Sequence, residues 1–196
     1  MEKFQNKYRI PSTRASWWDY SANGIYFITI CTHHRECLFG NMVTIDSVGH
    51  IVETVGRQSL QNHTAMQLSP IGEIVHEEWI KSFEIRNELF CDAFVIMPNH
   101  IHAILRIDKE NIGMEMHNYA SLKENRGNRP PKSISSFVAG FKSSATKRIN
   151  EYRNKPKMPV WQTRFHDRIV RDDREYKRIV NYINNNPSDW ANDKFL

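Results

Sequence analysis

His100-Ile101-His102 sets two imidazoles two residues apart inside a run of apolar and β-branched residues. Alternate residues of a strand share a face, so both rings point one way while Ile101, Ala103, Leu105 and Ile107 point the other. Two imidazole nitrogens at that spacing reach one divalent ion. An isolated H-x-H pair also occurs as half-exposed histidines on a sheet, so it needs a third ligand and a reacting group before it implies catalysis.

Tyr152, Tyr176 and Tyr182 lie in the last third of the chain and are candidates for that group. At about 100° per residue, Tyr176, Ile179, Val180 and Ile183 form one apolar stripe on a helix running from about Asp172 to about Asn186, which assigns Tyr176 to the core. Tyr182 falls on the flank of the stripe, and Asn186 follows one turn later on nearly the same side. A hydroxyl and an amide oxygen are thereby presented together. Tyr182 can also be read as an amphipathic anchor, and Asn186 as the end of a helix stopped by Pro187. A phenol with a pKa near 10 is only about one part in a thousand ionised at pH 7, so a tyrosine nucleophile requires assistance.

The positioning elements are legible around these residues. Gly24 to Thr32 has the β-branched and aromatic composition of a buried strand. Phe90–Met97 and His100–Ile107 read as two strands joined by Pro98-Asn99 in an antiparallel hairpin. Ser69-Pro70 opens a helix carrying Ile71, Ile74, Val75 and Trp79. Ile134, Phe137, Val138, Phe141, Ala145 and Ile149 trace one face of another helix. The last helix starts with a capping-box pattern, Asp172 and Glu175. From Asp46 to Asn62 the apolar spacing suits a helix, although Gly49 and Gly56 leave other readings open. Residues 109–132 lack periodicity and read as a mobile basic loop. The order strand, helix, two strands, helix, helix predicts an α+β fold with an antiparallel sheet.

A chain of 196 residues with 40% hydrophobic content is long enough for one substantial core, and one domain spanning 1–196 is expected. The formal net charge of +5 favours an acidic partner only modestly. Cys31, Cys37 and Cys91 are odd in number and form no C-x-x-C pair, so reduced thiols are expected. The first residues lack a signal-peptide layout and no apolar run approaches the roughly 20 residues of a membrane helix, which predicts a soluble cytoplasmic protein.

Phe94-Val95-Ile96-Met97-Pro98-Asn99-His100-Ile101-His102-Ala103-Ile104 resembles the histidine-hydrophobe-histidine (HUH) segment of single-tyrosine transposases, particularly the REP-associated tyrosine transposases. Asp19-Tyr20 through Thr32, Gly72-Glu73-Ile74-Val75 with Trp79, and Trp161-Gln162 through Asn185-Asn186-Pro187 resemble the same branch, so the likeness spans most of the chain. The stretch from about 46 to 65 is longer than expected for the family and reads as an insertion. The resemblance implies an RRM-like or ferredoxin-like core, with Tyr182 as nucleophile and Asn186 as third ligand beside His100 and His102. Some relatives carry glutamine at that last position. The implied cofactor is a divalent metal, Mg²⁺ or Mn²⁺, with which the imidazole and amide-oxygen set is compatible, though imidazoles also suit zinc. The implied reaction is cleavage and strand transfer of single-stranded, hairpin-forming DNA through a 5′-phosphotyrosine. Relatives differ in whether the His pair and the tyrosine helix come from one subunit or two, so a monomer and a homodimer both remain open.

Single strands are held by basic grooves with aromatic platforms. Lys142, Lys147, Arg148, Arg164, Arg168 and Arg171 are candidate phosphate contacts, and Trp17, Trp18 and Trp161 candidate stacking platforms, although charged helix faces are usually just solvated and tryptophans are usually packed. Asp167, close in sequence to the last helix, is a candidate for orienting a ligand. Two rivals stand beside the transferase: a metal-dependent hydrolase in which Tyr182 is structural, and a catalytically silent single-strand-binding module.

Overall fold

The β-branched run before the first cysteine and the two runs around Pro98-Asn99 form the centre of one sheet. The computed structural model describes residues 18–46, 63–110 and 132–192, with short strands at 3–4, 7–8 and 51–52. Along the chain the elements are β1 (Lys3–Phe4), β2 (Lys7–Tyr8), β3 (Gly24–Cys31), a 3-10 turn (His33–Arg35), β4 (Gly40–Ile45), β5 (Ile51–Val52), β6 (His63–Leu68), α1 (Pro70–Glu84), β7 (Leu89–Met97), β8 (His100–Ile107), α2 (Ile134–Tyr152), β9 (His166–Val170), α3 (Asp173–Asn185) and a 3-10 turn (Trp190–Asn192).

The main sheet has the order β7-β8-β3-β9, with every neighbouring pair antiparallel. The expected hairpin is β7 and β8. Side-chain alternation divides the sheet into two faces. Tyr26, Ile28, Ile30, Ile101, Ala103 and Leu105 pack against Val75 and Trp79 of α1 and Phe137, Val138 and Phe141 of α2 in the larger core. Ile104, Val170, Ile25 and Phe27 on the other face receive Ile179 and Ile183 of α3. Each such aliphatic or aromatic side chain, once buried, contributes about 1.5–3 kcal/mol. The α+β expectation holds: an antiparallel sheet carries two helices on one face and α3 on the opposite one.

Helix starts follow local chemistry. The Ser69 side chain accepts from the Gly72 amide with Pro70 next in line. Ser133 and Ser136 cap each other's backbone at the start of α2. Asp172 accepts from the Glu175 amide, but Glu175 reaches back to the Arg171 amide at 3.1 Å, one residue before the expected capping-box partner.

Two features depart from expectation. The helix expected over 46–62 is not formed at Ile51–Val52, a strand pairing with Thr44 and Ile45; residues 47–50 and 53–62 lie outside the described set. β4 pairs on its other side with β6, giving a separate sheet ordered β5-β4-β6. The β9 strand is not expected from the sequence, because His166-Asp167-Arg168 offers no apolar alternation. The loop expected at 109–132 lies largely outside the described residues. No described helix is long and apolar enough to cross a membrane.

Candidate active site

On β8, the even-numbered residues face α3, so the sequence delivers both imidazoles to the side where Tyr182 arrives. His100 and His102 are buried, with ring centroids 4.4 Å apart. The Tyr182 hydroxyl lies 3.1 Å from His102 Nε2. The strand face and the helix flank therefore converge within a single chain.

Helical phase explains the arrival of Tyr182. Ile179 and Ile183 anchor α3 in the small core, and Tyr176 packs against the same cluster, as its place in the apolar stripe predicts. Burial pushes the Tyr176 phenol above its ordinary pKa, and the neighbouring Asp92 adds to the shift. Tyr182, on the flank, remains 38% exposed at a cleft of about 500 Å³. Phe27, Thr29, His102, Arg168, Arg178 and Asn186 also line this cleft. Asn186, the residue capping α3, is itself buried.

Each histidine is fixed from behind. Thr29 is the cross-strand partner of His102 and its hydroxyl lies 2.8 Å from His102 Nδ1. The Asn99 side-chain oxygen lies 2.8 Å from His100 Nδ1. With both Nδ1 atoms engaged, Nε2 is the nitrogen each ring offers as a ligand, and neighbours of this kind characteristically orient metal-binding histidines. Among the described residues no group of three or more His, Cys, Asp or Glu could hold a metal. The donor types of His100, His102 and the Asn186 amide, all three buried, would fit Mg²⁺, Mn²⁺ or zinc.

Arg168 and Arg178 bring positive charge to the cleft. Glu175 tethers both, at 2.5 Å from Arg168 and 3.8 Å from Arg178. Arg178 carried no signal beyond being one charge among several on α3. Spacing does not mark Thr29, Asn99 or Phe27 as neighbours of the histidines; the Phe27 ring stacks on His102 at 5.3 Å between centroids. Thr29 was in principle detectable, because a threonine interrupting an otherwise apolar buried strand needs a polar partner.

Other candidates lie elsewhere. Lys142, Lys147 and Arg148 belong to α2, on the opposite face of the sheet. Lys142 donates to the carbonyl oxygens of Gln162 and Arg164, at 2.8 and 3.2 Å, and so pins the segment leading into β9. Arg148 bonds Glu77 and Glu78 on α1, at 2.6 and 2.9 Å, and Lys147 approaches Glu151 at 4.0 Å. Arg164 and Arg171 are exposed at the two ends of β9. Trp161 is a core residue, its ring 5.2 Å from Phe39 and 5.5 Å from Phe141, which corrects its reading as a stacking platform. Trp18 donates to the Tyr26 hydroxyl at 3.1 Å, and Trp17 lies outside the described residues. Asp167 pairs with Ile28, whose side chain belongs to the large core, so it points away from the His pair. Cys31 is buried and Cys37 exposed; all three cysteines are free thiols.

Comparison with known proteins agrees with this architecture. No protein-family model matches the chain. It is 31% identical over 188 residues to an uncharacterized protein of Haemophilus influenzae, covering 93% of this chain and 91% of that protein. A solved structure of a REP-associated tyrosine transposase bound to a REP hairpin superposes with a TM-score of 0.52 at 17% identity, over 89% of this chain and 73% of that one. A crystal structure of a Deinococcus radiodurans protein described as a transposase covers 89% of this chain and 97% of its own at 14% identity, with a TM-score of 0.39. The chain belongs to the family of the Haemophilus influenzae protein, and its fold is transposase-like.

Proposed function

We propose that this chain is a single-tyrosine HUH transposase of the REP-associated branch, cutting and rejoining single-stranded, hairpin-forming DNA in the cytoplasm. The observation that carries the reading is the 3.1 Å approach of the Tyr182 hydroxyl to His102 Nε2, which puts a nucleophile type and a metal-ligand type in contact. The REP hairpin bound by the structural neighbour supports this choice of substrate class.

Tyr182 is the nucleophile. Its oxygen attacks the scissile phosphorus, the bond from phosphorus to the 3′ oxygen breaks, and the leaving strand departs as a 3′-OH. The 5′ side stays on the enzyme as a phosphotyrosine. A later 3′-OH reverses the exchange without ATP, because the phosphodiester count is unchanged. His102 presents Nε2 to the cleft 3.1 Å from the Tyr182 hydroxyl, with Nδ1 held 2.8 Å from the Thr29 hydroxyl behind it, and the Tyr182 proton passes to solvent as its oxygen bonds to phosphorus. His100, His102 and Asn186 hold the divalent ion, Mg²⁺ or Mn²⁺, which when bound supplies charge stabilisation at the phosphate. Arg168 and Arg178 contact backbone phosphates.

The reading is tested by incubating the protein with labelled hairpin single-stranded DNA and Mn²⁺, then running a denaturing gel. A DNA-linked protein band that disappears in Tyr182→Phe is expected. Cleavage that survives in Tyr182→Phe without an adduct would identify a hydrolase, and binding without cleavage a silent module.

A further inference from the structure

The turn between β7 and β8 does more than reverse the chain. Its two residues are clamped to the segment following β3: the Thr32 amide and hydroxyl donate to the Asn99 carbonyl at 2.9 and 3.0 Å, and the Phe39 amide donates to the Pro98 carbonyl at 3.0 Å. The Asn99 side chain, buried between them, donates through Nδ2 to the Arg35 carbonyl at 3.3 Å. A carbonyl can only accept, so this contact fixes which way the amide points. The oxygen, Oδ1, then faces His100 Nδ1 at 2.8 Å. An amide oxygen can only accept as well, so the proton between them belongs to the histidine.

A second observation bears on the same contact. His34 and Arg35 are consecutive non-glycine residues in the left-handed region, with φ of 53° and 59°. Such backbone is costly and persists where the surroundings enforce it, often at functional sites. Here it belongs to the segment that supplies the Arg35 carbonyl to the Asn99 amide.

We infer that Asn99 is a positioning residue that locks His100 in the tautomer protonated at Nδ1, leaving the Nε2 lone pair as ligand, and that the strained turn at His34-Arg35 holds Asn99 in the required orientation. The consequence for metal binding rests on the function proposed above; the tautomer itself does not. Asn99 acts through His100 and has no part in the reaction with DNA.

The tautomer can be read without any activity. Metal-free protein labelled with ¹⁵N-histidine is examined by long-range proton–nitrogen NMR at mildly alkaline pH, with His100→Gln used to assign the resonances. The wild type is expected to show a proton-bearing Nδ1 and a pyridine-like Nε2 at His100. Asn99→Ala should shift these resonances toward the Nε2–H form. Asn99→Asp, which keeps an acceptor oxygen, should retain the wild-type pattern and provides the answer if the alanine variant fails to fold. In parallel, Mn²⁺ titration followed by electron paramagnetic resonance should show binding weakened about 10–100-fold in Asn99→Ala. A wild-type His100 protonated at Nε2, or a folded Asn99→Ala with unchanged resonances, overturns the inference. Wild-type protein that binds no Mn²⁺ while showing the Nδ1–H pattern overturns the metal-dependent reading and supports the tautomer assignment.

Discussion

The Tyr182 hydroxyl stands 3.1 Å from His102 Nε2, and the opposite nitrogen of the same ring stands 2.8 Å from the Thr29 hydroxyl. Three residues from β3, β8 and α3 thus form a line ending at the cleft. Thr29→Val keeps the shape of the side chain and removes its hydrogen bond. The rate of covalent DNA–protein adduct formation should fall about 10–100-fold, with little change in single-strand affinity. A full-rate Thr29→Val enzyme would show that His102 needs no fixing from behind.

Two arginines on opposite faces of the sheet should behave differently. Arg178→Ala is expected to weaken single-strand binding and to reduce the slope of log affinity against log salt by about 1. Arg148→Ala leaves Glu78, nearly fully buried, without its cation, so it should cost about 2 kcal/mol in urea unfolding while DNA affinity stays unchanged. Loss of DNA binding in Arg148→Ala alone would move the interface to the α1/α2 face.

Gly72 lies where α1 meets the segment after β3 that is bonded to the His-pair turn. A methyl group there would collide with the Phe39 carbonyl, which already accepts from the Ser69 amide at 2.8 Å. Gly72→Ala should therefore destabilise the fold by about 1–3 kcal/mol, measured by denaturant titration. Because Phe39 also bonds Pro98, the same substitution should perturb His100 resonances.

Burial pushes the Cys91 thiol up to about 11. Its folded value exceeds the unfolded one, so the neutral thiol contributes stability that is complete below pH 9 and lost as pH rises toward 11. Unfolding measured across that window should show declining stability, and Cys91→Ser should flatten the decline. Tyr26 and Tyr176, both raised first by burial, extend the loss to higher pH. At pH 8 a thiol reagent should modify exposed Cys37 long before Cys91.

The sequence carries the site in two periodicities. Period two put His100 and His102 on one face, and period 3.6 put Tyr176 into the stripe and Tyr182 on its flank with Asn186. Both hold, and both serve elements with a strongly apolar opposite side. Elements lacking that contrast were lost: β9 is a partly exposed edge strand, and Ile51–Val52 gains its conformation from pairing with β4, a contact that no local pattern encodes. Trp161 fails for the converse reason, since a tryptophan followed by the polar run Gln162-Thr163-Arg164 looks available until Phe39 and Phe141 close over it. The supporting contacts of Thr29 and Asn99 are pairwise and tertiary, so spacing alone did not mark them.

The central claim is that Tyr182 itself becomes bonded to DNA. The most direct measurement is to trap the protein after reaction with a single-stranded hairpin and Mn²⁺, digest protein and DNA, and locate the attached nucleotide by mass spectrometry. A 5′-phosphate linked to the oxygen of Tyr182 is the predicted result. Cleaved DNA with no modified peptide, or a nucleotide attached to Tyr176 or Tyr152, would contradict it.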